Sequence, residues 1–314
     1  MKRVLITGAS GFLGSNLRVA LEKSDKKFDC IFLNSSDYDL TELSQASKMV
    51  KEHRPDVVIH LAALSGGIGA NTERPADFFF ENSLLVTNVF QACGSLGVKD
   101  MIYTMGGCSY PNSASSPISE GEMWEGMPQG NSSAYSVAKK MGIIAGQAYE
   151  KQYGLKTKVL VPGNLYGKYD NYNLDNSHVI PALIRKFHEA KISNSPKVNL
   201  WGTGSPIRDF VYAEDVASII VDLIDFKHIE TPMNLSSGNG ISIKELSELV
   251  ASVVDYKGVL EWDTSKPDGQ KEKVFDVALM ESWGFKCDTN LMQGLRKSYD
   301  WFSTNYEVEG AIRL

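Results

Sequence analysis

Two groups of residues in this sequence could do chemistry together, a tyrosine–lysine pair and a glycine-rich segment. Tyr135 and Lys139 stand four positions apart in the run SAYSVAK, residues 133–139. On a helix these two side chains share one face, so the ammonium can lower the pKa of the phenol and orient a nicotinamide ribose. A phenol held in this way is suited to donate a proton to a carbonyl oxygen. The pair therefore predicts carbonyl reduction.

The glycine-rich segment GASGFLG, residues 8–14, follows an apolar run and opens a helix-like stretch. Its three glycines let backbone amides and a helix amino end approach a pyrophosphate closely. The spacing alone often marks only a tight turn, but strand, glycines and helix together favour a nucleotide site. The predicted cofactor contacts in this segment are Gly8, Ser10, Gly11, Phe12, Leu13 and Gly14.

The residues at the tip of the second predicted strand should determine whether the protein prefers NAD or NADP. It reads LNSS, residues 33–36, with no carboxylate to grip ribose hydroxyls and no Arg or Lys to neutralise a 2′-phosphate. The residues themselves therefore leave the preference open. Asp39 could place a carboxylate near adenine, or could belong to a solvated surface turn, and the two interpretations weigh equally. The predicted contacts at this end are Asn34, Ser35, Ser36, Asp39 and Leu40.

Composition bounds the class of protein. The 314 residues are 43% hydrophobic, with a formal charge of −6 and a pI near 5.5, which argues against a nucleic-acid partner. The four cysteines lack metal-site or disulfide spacing, so no metal is expected and a reducing compartment fits. No apolar run reaches the roughly 20 residues of a membrane span, and the amino-terminal apolar run is too short for a signal peptide. We expect a cytoplasmic protein with no membrane partner.

Short apolar runs alternate with helix-length segments through the first half of the chain. This rhythm predicts an α/β fold, a Rossmann-type doubly wound parallel sheet with a smaller C-terminal α/β substrate lobe. Strands are expected at 4–7, 30–33, 57–62, 101–105, 158–161 and 233–235. Helices are expected at 12–24, 42–53, 78–97, 133–153, 179–191, 213–226 and 243–254.

The same pattern divides the chain between two lobes. Residues 1–163 are predicted to form the dinucleotide-binding lobe, with 205–235 returning to it. Residues 164–204 and 236–314 are predicted to form the lobe that binds the substrate.

Further segments carry a family resemblance: LAALSGGIGAN at 61–71, CSYP at 108–111, NLYG at 164–167 and SHVIPAL at 177–183. With the glycines and the Tyr135–Lys139 pair, they resemble the extended short-chain dehydrogenase/reductase family and, within it, the GDP-L-fucose synthases, over nearly the whole chain. The resemblance implies NADPH as cofactor, with NADH not excluded, and a GDP-linked 4-keto-6-deoxy-sugar as substrate. It also implies a homodimer built from helices 78–97 and 133–153, which carry an apolar stripe that includes Phe78 and Phe79.

The resemblance assigns roles residue by residue. Tyr135 would protonate the sugar carbonyl, and Cys108 and His178 would exchange protons at sugar carbons 3 and 5. The cofactor would also touch Leu61, Ala62, Ala63, Tyr135, Lys139, Pro162, Asn164, Leu165 and His178. The GDP-sugar would touch Asn164, Arg185, Lys186, Trp201, Arg208 and Lys273.

One position departs from the family, because Gly106 stands where the catalytic serine is expected. Losing one such hydrogen-bond donor can cost on the order of a hundredfold in rate. A water, Thr104, Ser109 or a substrate hydroxyl would have to replace it. We also expect the Gly106-Gly107 pair to free space beside the sugar, so that a hexose or a heptose would fit.

Three other functions stay open. The protein could be a reductase acting after a separate epimerase, or a nucleotide-sugar 4-epimerase or dehydratase with tightly bound NAD. It could also be a non-catalytic nucleotide-binding regulator.

Overall fold

The structure is a computed structural model that describes residues 1–266 and 268–314. The strands are β1 (Arg3–Thr7), β2 (Asp29–Leu33), β3 (Val57–His60), β4 (Asp100–Thr104), β5 (Lys156–Pro162), β6 (Asn164–Tyr166), β7 (Lys197–Trp201), β8 (Ile207–Tyr212), β9 (Met233–Leu235), β10 (Gly240–Ser242), β11 (Val259–Asp263) and β12 (Glu272–Lys273). The helices are α1 (Phe12–Lys23), α2 (Leu43–His53), α3 (Ile68–Glu73), α4 (Pro75–Ser95), α5 (Ser133–Tyr153), α6 (Val179–Ile192), α7 (Ala213–Leu223), α8 (Ile243–Val254), α9 (Ala278–Ser282) and α10 (Leu291–Asn305).

Six strands form one parallel sheet in the order β2-β1-β3-β4-β5-β9. The chain leaves β1 towards β2 on one side and returns to β3 on the other. Parallel sheets open a crevice where the strand order reverses, outside the carboxyl ends of the strands. The sheet therefore presents a ligand crevice at the ends of β1 and β3.

Helices cover both faces of this sheet. Its inner strands are buried along nearly their whole length, as the four buried residues of β3 illustrate, three of them apolar, and such strands need cover on two sides. One core joins the sheet to α1 and α7, through residues such as Leu17 and Val216. The other joins it to α2, α4 and α5, through residues such as Met49, Val89 and Ile143.

A smaller lobe stands beyond the carboxyl ends of the strands. Strand β8 is its centre, pairing with β6, β10 and β12, while β7 pairs with β11. Helices α6, α8 and α10 close a separate core through residues such as Phe187, Leu246 and Phe302.

The predicted fold class is confirmed, and the helices and strands expected from the sequence all occur. Strand β3 ends at His60, two residues before the predicted end, because residues 61–67 turn away towards the crevice. Strand β8 lies in the second sheet, so within 205–235 it is α7 and β9 that rejoin the main sheet. Strands β6, β7, β8 and β10–β12 and helices α3, α9 and α10 were not predicted from the sequence.

Candidate active site

The glycine-rich loop is shaped by contacts that only glycines allow. Gly8 has φ of 67°, and a Cβ there would lie 2.7 Å from the backbone nitrogen of Ala62. A Cβ on Gly14 would collide with the carbonyl oxygen of Gly8. In the described chain no side chain caps α1, whose N-cap is Gly11, so its first amides are available to a pyrophosphate. The loop also lies against the backbone of Leu61 and Ala62, which the resemblance predicts to touch the cofactor.

The tip of β2 is a closed polar turn. The Asn34 side chain accepts hydrogen bonds from the amide and hydroxyl of Ser36, at 3.0 and 2.6 Å, and the Asp37 carboxylate accepts the Asn34 amide at 2.9 Å. Asp39 accepts the Thr41 amide and hydroxyl, which lowers the pKa of its carboxyl. Leu40 is buried in the core. The Asp39 carboxylate thus stabilises a turn, and Leu40 offers a ligand only its backbone.

Tyr135, Cys108 and Gly106 meet at the carboxyl end of β4. A Cβ built on Gly106 would lie 3.2 Å from the Cys108 sulfur and 3.7 Å from the Tyr135 hydroxyl oxygen. The Tyr135 ring also meets Phe78 edge-on, with ring centroids 6.3 Å apart. A substrate carbonyl in front of Gly106 would therefore have a phenol and a thiol on either side.

Burial, rather than the neighbouring lysine, dominates the titration of Tyr135. Desolvation, and then the Cys108 side chain, raise the pKa of this phenol above its ordinary value. The predicted lowering by Lys139 is therefore wrong for the cofactor-free protein. The consequence for reduction is favourable, because the phenol keeps its proton at neutral pH and can donate it.

Lys139 is buried against an aromatic ring. Its ammonium lies 4.5 Å from the centroid of the Tyr103 ring, and the Tyr103 hydroxyl donates to the Lys139 carbonyl at 2.9 Å. Burial lowers the pKa of Lys139 to about 7, an effect that the Cys108 side chain opposes. In the described chain no carboxylate pairs with this ammonium, so its charge depends on the π face and on any ligand hydroxyls that reach it.

We expect the value of kcat/KM for NADPH to fall as pH rises above about 7. The Lys139 ammonium exists below its pKa of about 7 and is lost above it, and kcat/KM reports the ionisation of the free enzyme. A pH profile of kcat/KM for NADPH at a fixed sugar concentration below saturation would show this alkaline limb. In Lys139→Met protein the rate should be low and the limb absent, whereas an unchanged limb in that variant would contradict the assignment.

Gly107 does not open space beside the sugar, contrary to the prediction. A Cβ there would lie 2.5 Å from the ring of Phe275, which is 2% exposed and packs against Tyr110. Gly107 is thus required by the Phe275 ring, and a Cβ on Gly106 would itself lie 3.2 Å from the Cys108 sulfur.

Gly107→Ala should lower the free energy of unfolding by about 1–3 kcal/mol, because overpacking a core costs that much. Phe275→Leu should recover part of the loss when it is combined with Gly107→Ala. Denaturant unfolding of the four proteins in a double-mutant cycle would measure the coupling. Additive effects would mean that the two residues do not compete for one space.

The two protein side chains proposed to replace the missing serine, Ser109 and Thr104, already face other hydrogen-bond acceptors. The Ser109 hydroxyl is fully buried and donates to the Ser136 carbonyl at 3.3 Å. Thr104 is also buried, with its hydroxyl 3.5 Å from the His60 carbonyl. A water or a substrate hydroxyl therefore remains as the replacement donor.

His178 begins the substrate lobe as the N-cap residue of α6. The segment before it is tied to the main lobe by the Gly67 amide, which donates to the Asn176 carbonyl at 3.1 Å. The residue as a whole is solvent-exposed, although burial of the imidazole lowers the pKa of His178. Among the described residues, no hydrogen bond or ring contact joins His178 to Cys108 or Tyr135.

Two cations project from neighbouring strands of the second sheet. Arg208 on β8 and Lys273 on β12 are paired in register, and burial lowers the pKa of both side chains. The Cys108 side chain lies near enough to Lys273 to oppose that shift. Asn164 donates to the Asp209 carbonyl at 2.7 Å, which fixes β6 against β8. These cations can meet a diphosphate next to the Tyr135 centre.

An exposed indole marks the outer end of the same lobe. Trp201 is 70% exposed and has the ammonium groups of Lys186 and Lys266 at 5.9 and 5.6 Å from its ring. A purine or sugar can stack on such a face. Arg185 is less available, since its guanidinium is paired with Glu189 at 2.7 Å and bonded to the Tyr172 carbonyl.

Several residues of this region were not found from the sequence. Three aromatic residues were given no part in the site from the sequence, namely Phe78, Tyr103 and Phe275. They lie beside Tyr135, Lys139 and Gly107 through contacts between distant elements. Lys266 gave no signal in the sequence, because it lies three residues after the end of β11, and only the pairing of β11 with β7 brings it beside Trp201. No group of three or more metal-ligating side chains occurs in the part of the chain that the structure describes, and no described helix is long and apolar enough to cross a membrane.

Known proteins match this arrangement along the whole chain. A profile of the NAD dependent epimerase/dehydratase family matches residues 4–235. The chain belongs to this family, the extended short-chain dehydrogenases/reductases. A GDP-L-fucose synthase of Sinorhizobium fredii is 38% identical over 304 residues, covering 97% of this chain and 96% of the relative.

Solved structures agree with the sequence relatives. A GDP-L-fucose synthetase from Naegleria fowleri bound to NADP is 29% identical, with a TM-score of 0.91 over 100% of this chain and 95% of that one. A GDP-6-OMe-4-keto-L-xylo-heptose reductase from C. jejuni is 28% identical, with a TM-score of 0.88 over 97% and 98%.

Proposed function

We propose that this protein uses NADPH to reduce the C4 keto group of a GDP-4-keto-6-deoxy-sugar. The observation that carries the proposal is the convergence of the Tyr135 hydroxyl and the Cys108 sulfur on Gly106, at the carboxyl end of β4. Relatives named for GDP-L-fucose synthesis and for reduction of a GDP-4-keto-heptose support this substrate class.

Each residue of the centre has a task in this reaction. The cofactor, when bound, supplies hydride to carbon 4. The uncapped amino end of α1 holds its pyrophosphate, and Lys139 orients its ribose. Tyr135 gives its proton to the carbonyl oxygen as negative charge develops there.

The substrate lobe holds the nucleotide end of the sugar. Arg208 and Lys273 neutralise the diphosphate, while Trp201 with Lys186 offers a stacking face for the base. In the proposed arrangement, residues 1–163 with 205–235 bind the dinucleotide. Residues 164–204 and 236–314 bind the sugar nucleotide.

Proton exchange at carbons 3 and 5 is the second activity of the proposed site. Cys108 is placed for one transfer, since it lies beside Tyr135, and His178 would supply the other from the start of α6. We expect the missing side chain at Gly106 to let the site accept either a hexose or the longer heptose chain.

The assembly is proposed to be a cytoplasmic homodimer. Helices α4 and α5 pack on each other and still expose large apolar side chains: Phe79 is 46%, Phe80 64% and Ile144 52% exposed. Phe79 therefore lies on the exposed side of the apolar stripe, outside the core. A second copy that covers this face would bury it.

The test mixes purified protein, NADPH and each 4-keto sugar and follows the loss of reduced-cofactor absorbance. Turnover with at least one GDP-4-keto-6-deoxy-sugar supports the proposal, with Tyr135→Phe protein as the matched inactive control. No turnover with either hexose or heptose would favour the nucleotide-binding regulator. Tightly bound NAD that survives purification would favour the 4-epimerase or dehydratase.

Mass spectrometry of the product formed in heavy water would separate epimerase from reductase. Solvent deuterium at carbon 3 or 5 shows proton exchange. An alcohol without that deuterium identifies a reductase that acts after a separate epimerase.

A further inference from the structure

The C-terminal tail, residues 310–314, lies against the glycine-rich loop. Its Arg313 guanidinium donates to the carbonyl oxygen of Ser10 at 3.2 Å. The tail is held there by the loop after β6, since the Tyr172 amide donates to the Arg313 carbonyl at 2.9 Å and the Asn173 side chain donates to the Leu314 carbonyl at 3.1 Å. The end of the chain is thus tied to the phosphate-binding loop of the other lobe.

A polar cavity of about 180 Å³ lies under this tail. Its lining includes Ser10 and Ser15 from the first lobe, Asp170, and the tail itself. Asp170 is 3% exposed, and its second carboxylate oxygen has no hydrogen-bond partner in the described chain. Burial raises the pKa of the Asp170 carboxyl to about 7, and the nearby Arg313 opposes that shift by favouring the ionised form. The carboxyl, when ionised, and the tail arginine therefore attract each other.

Ser10 marks the place where the adenosine ribose of a dinucleotide should lie. In this fold the ribose sits between the glycine-rich loop and the tip of the second strand. The two are joined here by the Ala9 amide, which donates to the Leu33 carbonyl at 3.0 Å. A guanidinium bonded to the next residue, Ser10, is therefore near the ribose and its substituents.

A 2′-phosphate at this place needs a cation that the β2 tip does not provide. A phosphate monoester carries nearly two negative charges at pH 7. The tip offers hydroxyls and the carboxylate of Asp37, which accepts the Asn34 amide. Among the described residues Ser10 is the sole hydrogen-bond partner of the Arg313 guanidinium, so its remaining N–H groups are free to bind oxygen.

Arg18 is the rival cation on this side of the sheet. Its guanidinium lies 3.8 Å from the centroid of the Phe32 ring, on the second turn of α1. Its planar face is already stacked on that ring of β2. Arg313, in contrast, contacts the loop itself.

We infer that Arg313 binds the 2′-phosphate of NADPH, which makes the C-terminal tail part of the cofactor site and a determinant of NADP preference. The inference rests on the proposed use of NADPH. It needs no sugar substrate for its test.

The experiment measures the Kd of the full-length protein for NADPH and for NADH by fluorescence titration. Arg313→Ala should raise the Kd for NADPH at least about tenfold, because a charge-assisted hydrogen bond is lost, and leave the Kd for NADH unchanged. Arg313→Gln, which is shorter and keeps an amide N–H donor but not the charge, should act in the same direction. Arg296→Ala, an exposed arginine on α10, is the matched control and should change neither value.

Two results would overturn the inference. An equal rise for both dinucleotides would mean that the tail only positions the loop. Unchanged NADPH binding in both Arg313 variants, with selective loss in Arg18→Ala, would transfer the role to α1. If selective loss occurs but no GDP-4-keto-sugar is reduced, the tail inference stands and the proposed reaction fails.

Discussion

Tyr135→Phe protein should reduce a GDP-4-keto-6-deoxy-sugar about 10²- to 10⁴-fold more slowly than the parent, the range that loss of a general acid usually costs. The substitution keeps the ring that meets Phe78 and removes only the hydroxyl. Binding of NADPH should therefore be nearly unchanged. Single-turnover measurement of cofactor oxidation would separate the chemical step from product release.

Tyr149→Phe is the matched control for that experiment. Its hydroxyl lies on the same helix and donates to the Gln91 side chain at 2.7 Å, away from the Gly106 centre. Turnover should stay within about twofold of the parent, since no catalytic group is lost. Parent-like turnover in Tyr135→Phe would remove the basis of the proposed reduction.

Gly106→Ser should raise the rate of ketoreduction about 10- to 100-fold, because it restores a hydrogen-bond donor to the developing oxyanion. The backbone permits the change, with φ of −109° and ψ of 147°. A Cβ 3.2 Å from the Cys108 sulfur requires that side chain to yield by a few tenths of an ångström. The new hydroxyl would then stand beside the Tyr135 hydroxyl, where the carbonyl oxygen is proposed to bind.

Gly106→Ala separates the hydroxyl from the added volume. It introduces the same Cβ without a donor, so its rate should not exceed that of the parent. If the serine and alanine variants both lose activity to the same extent, the space at Gly106 is occupied by the substrate, and the missing donor is not what limits the rate. Comparing hexose with heptose substrates would then show which sugar needs that space.

Local patterns were sufficient to predict the main sheet and its ligand edge. The glycines at 8, 11 and 14 and the apolar runs that precede them encode a strand, a loop and a helix within a few residues. The Tyr135–Lys139 pair likewise lies on one helix, α5. Such signals need no knowledge of distant contacts.

The second lobe was harder to predict because its short strands find partners far along the chain. Strand β12 has two residues, and only its pairing with β8 places Lys273 beside Arg208. The same limit explains the error at Gly107. Phe275 follows it by more than 160 positions, and a sequence pattern does not reveal which ring fills which gap.

The pKa prediction for Tyr135 failed for a different physical reason. Both residues do lie on α5, four positions apart, but burial removes both groups from water and acts in opposite senses on the pKa of a phenol and of an ammonium. The depth of burial depends on the packing of α4 and the 106–108 segment against α5. The sequence run at 133–139 does not encode that packing.

Strand β9 comes late in the sequence but pairs with β5 in the main sheet, and this has a practical consequence for preparing fragments of the enzyme. A fragment that stops at residue 163 would contain the glycine-rich loop but would leave β5 as a bare edge, because its neighbour comes from residues 233–235. Such an unpaired edge invites intermolecular pairing and precipitation. It would also lose α7, which covers the face next to α1. The cofactor half is therefore a discontinuous unit, and isolating it calls for splicing 213–235 back on rather than truncation.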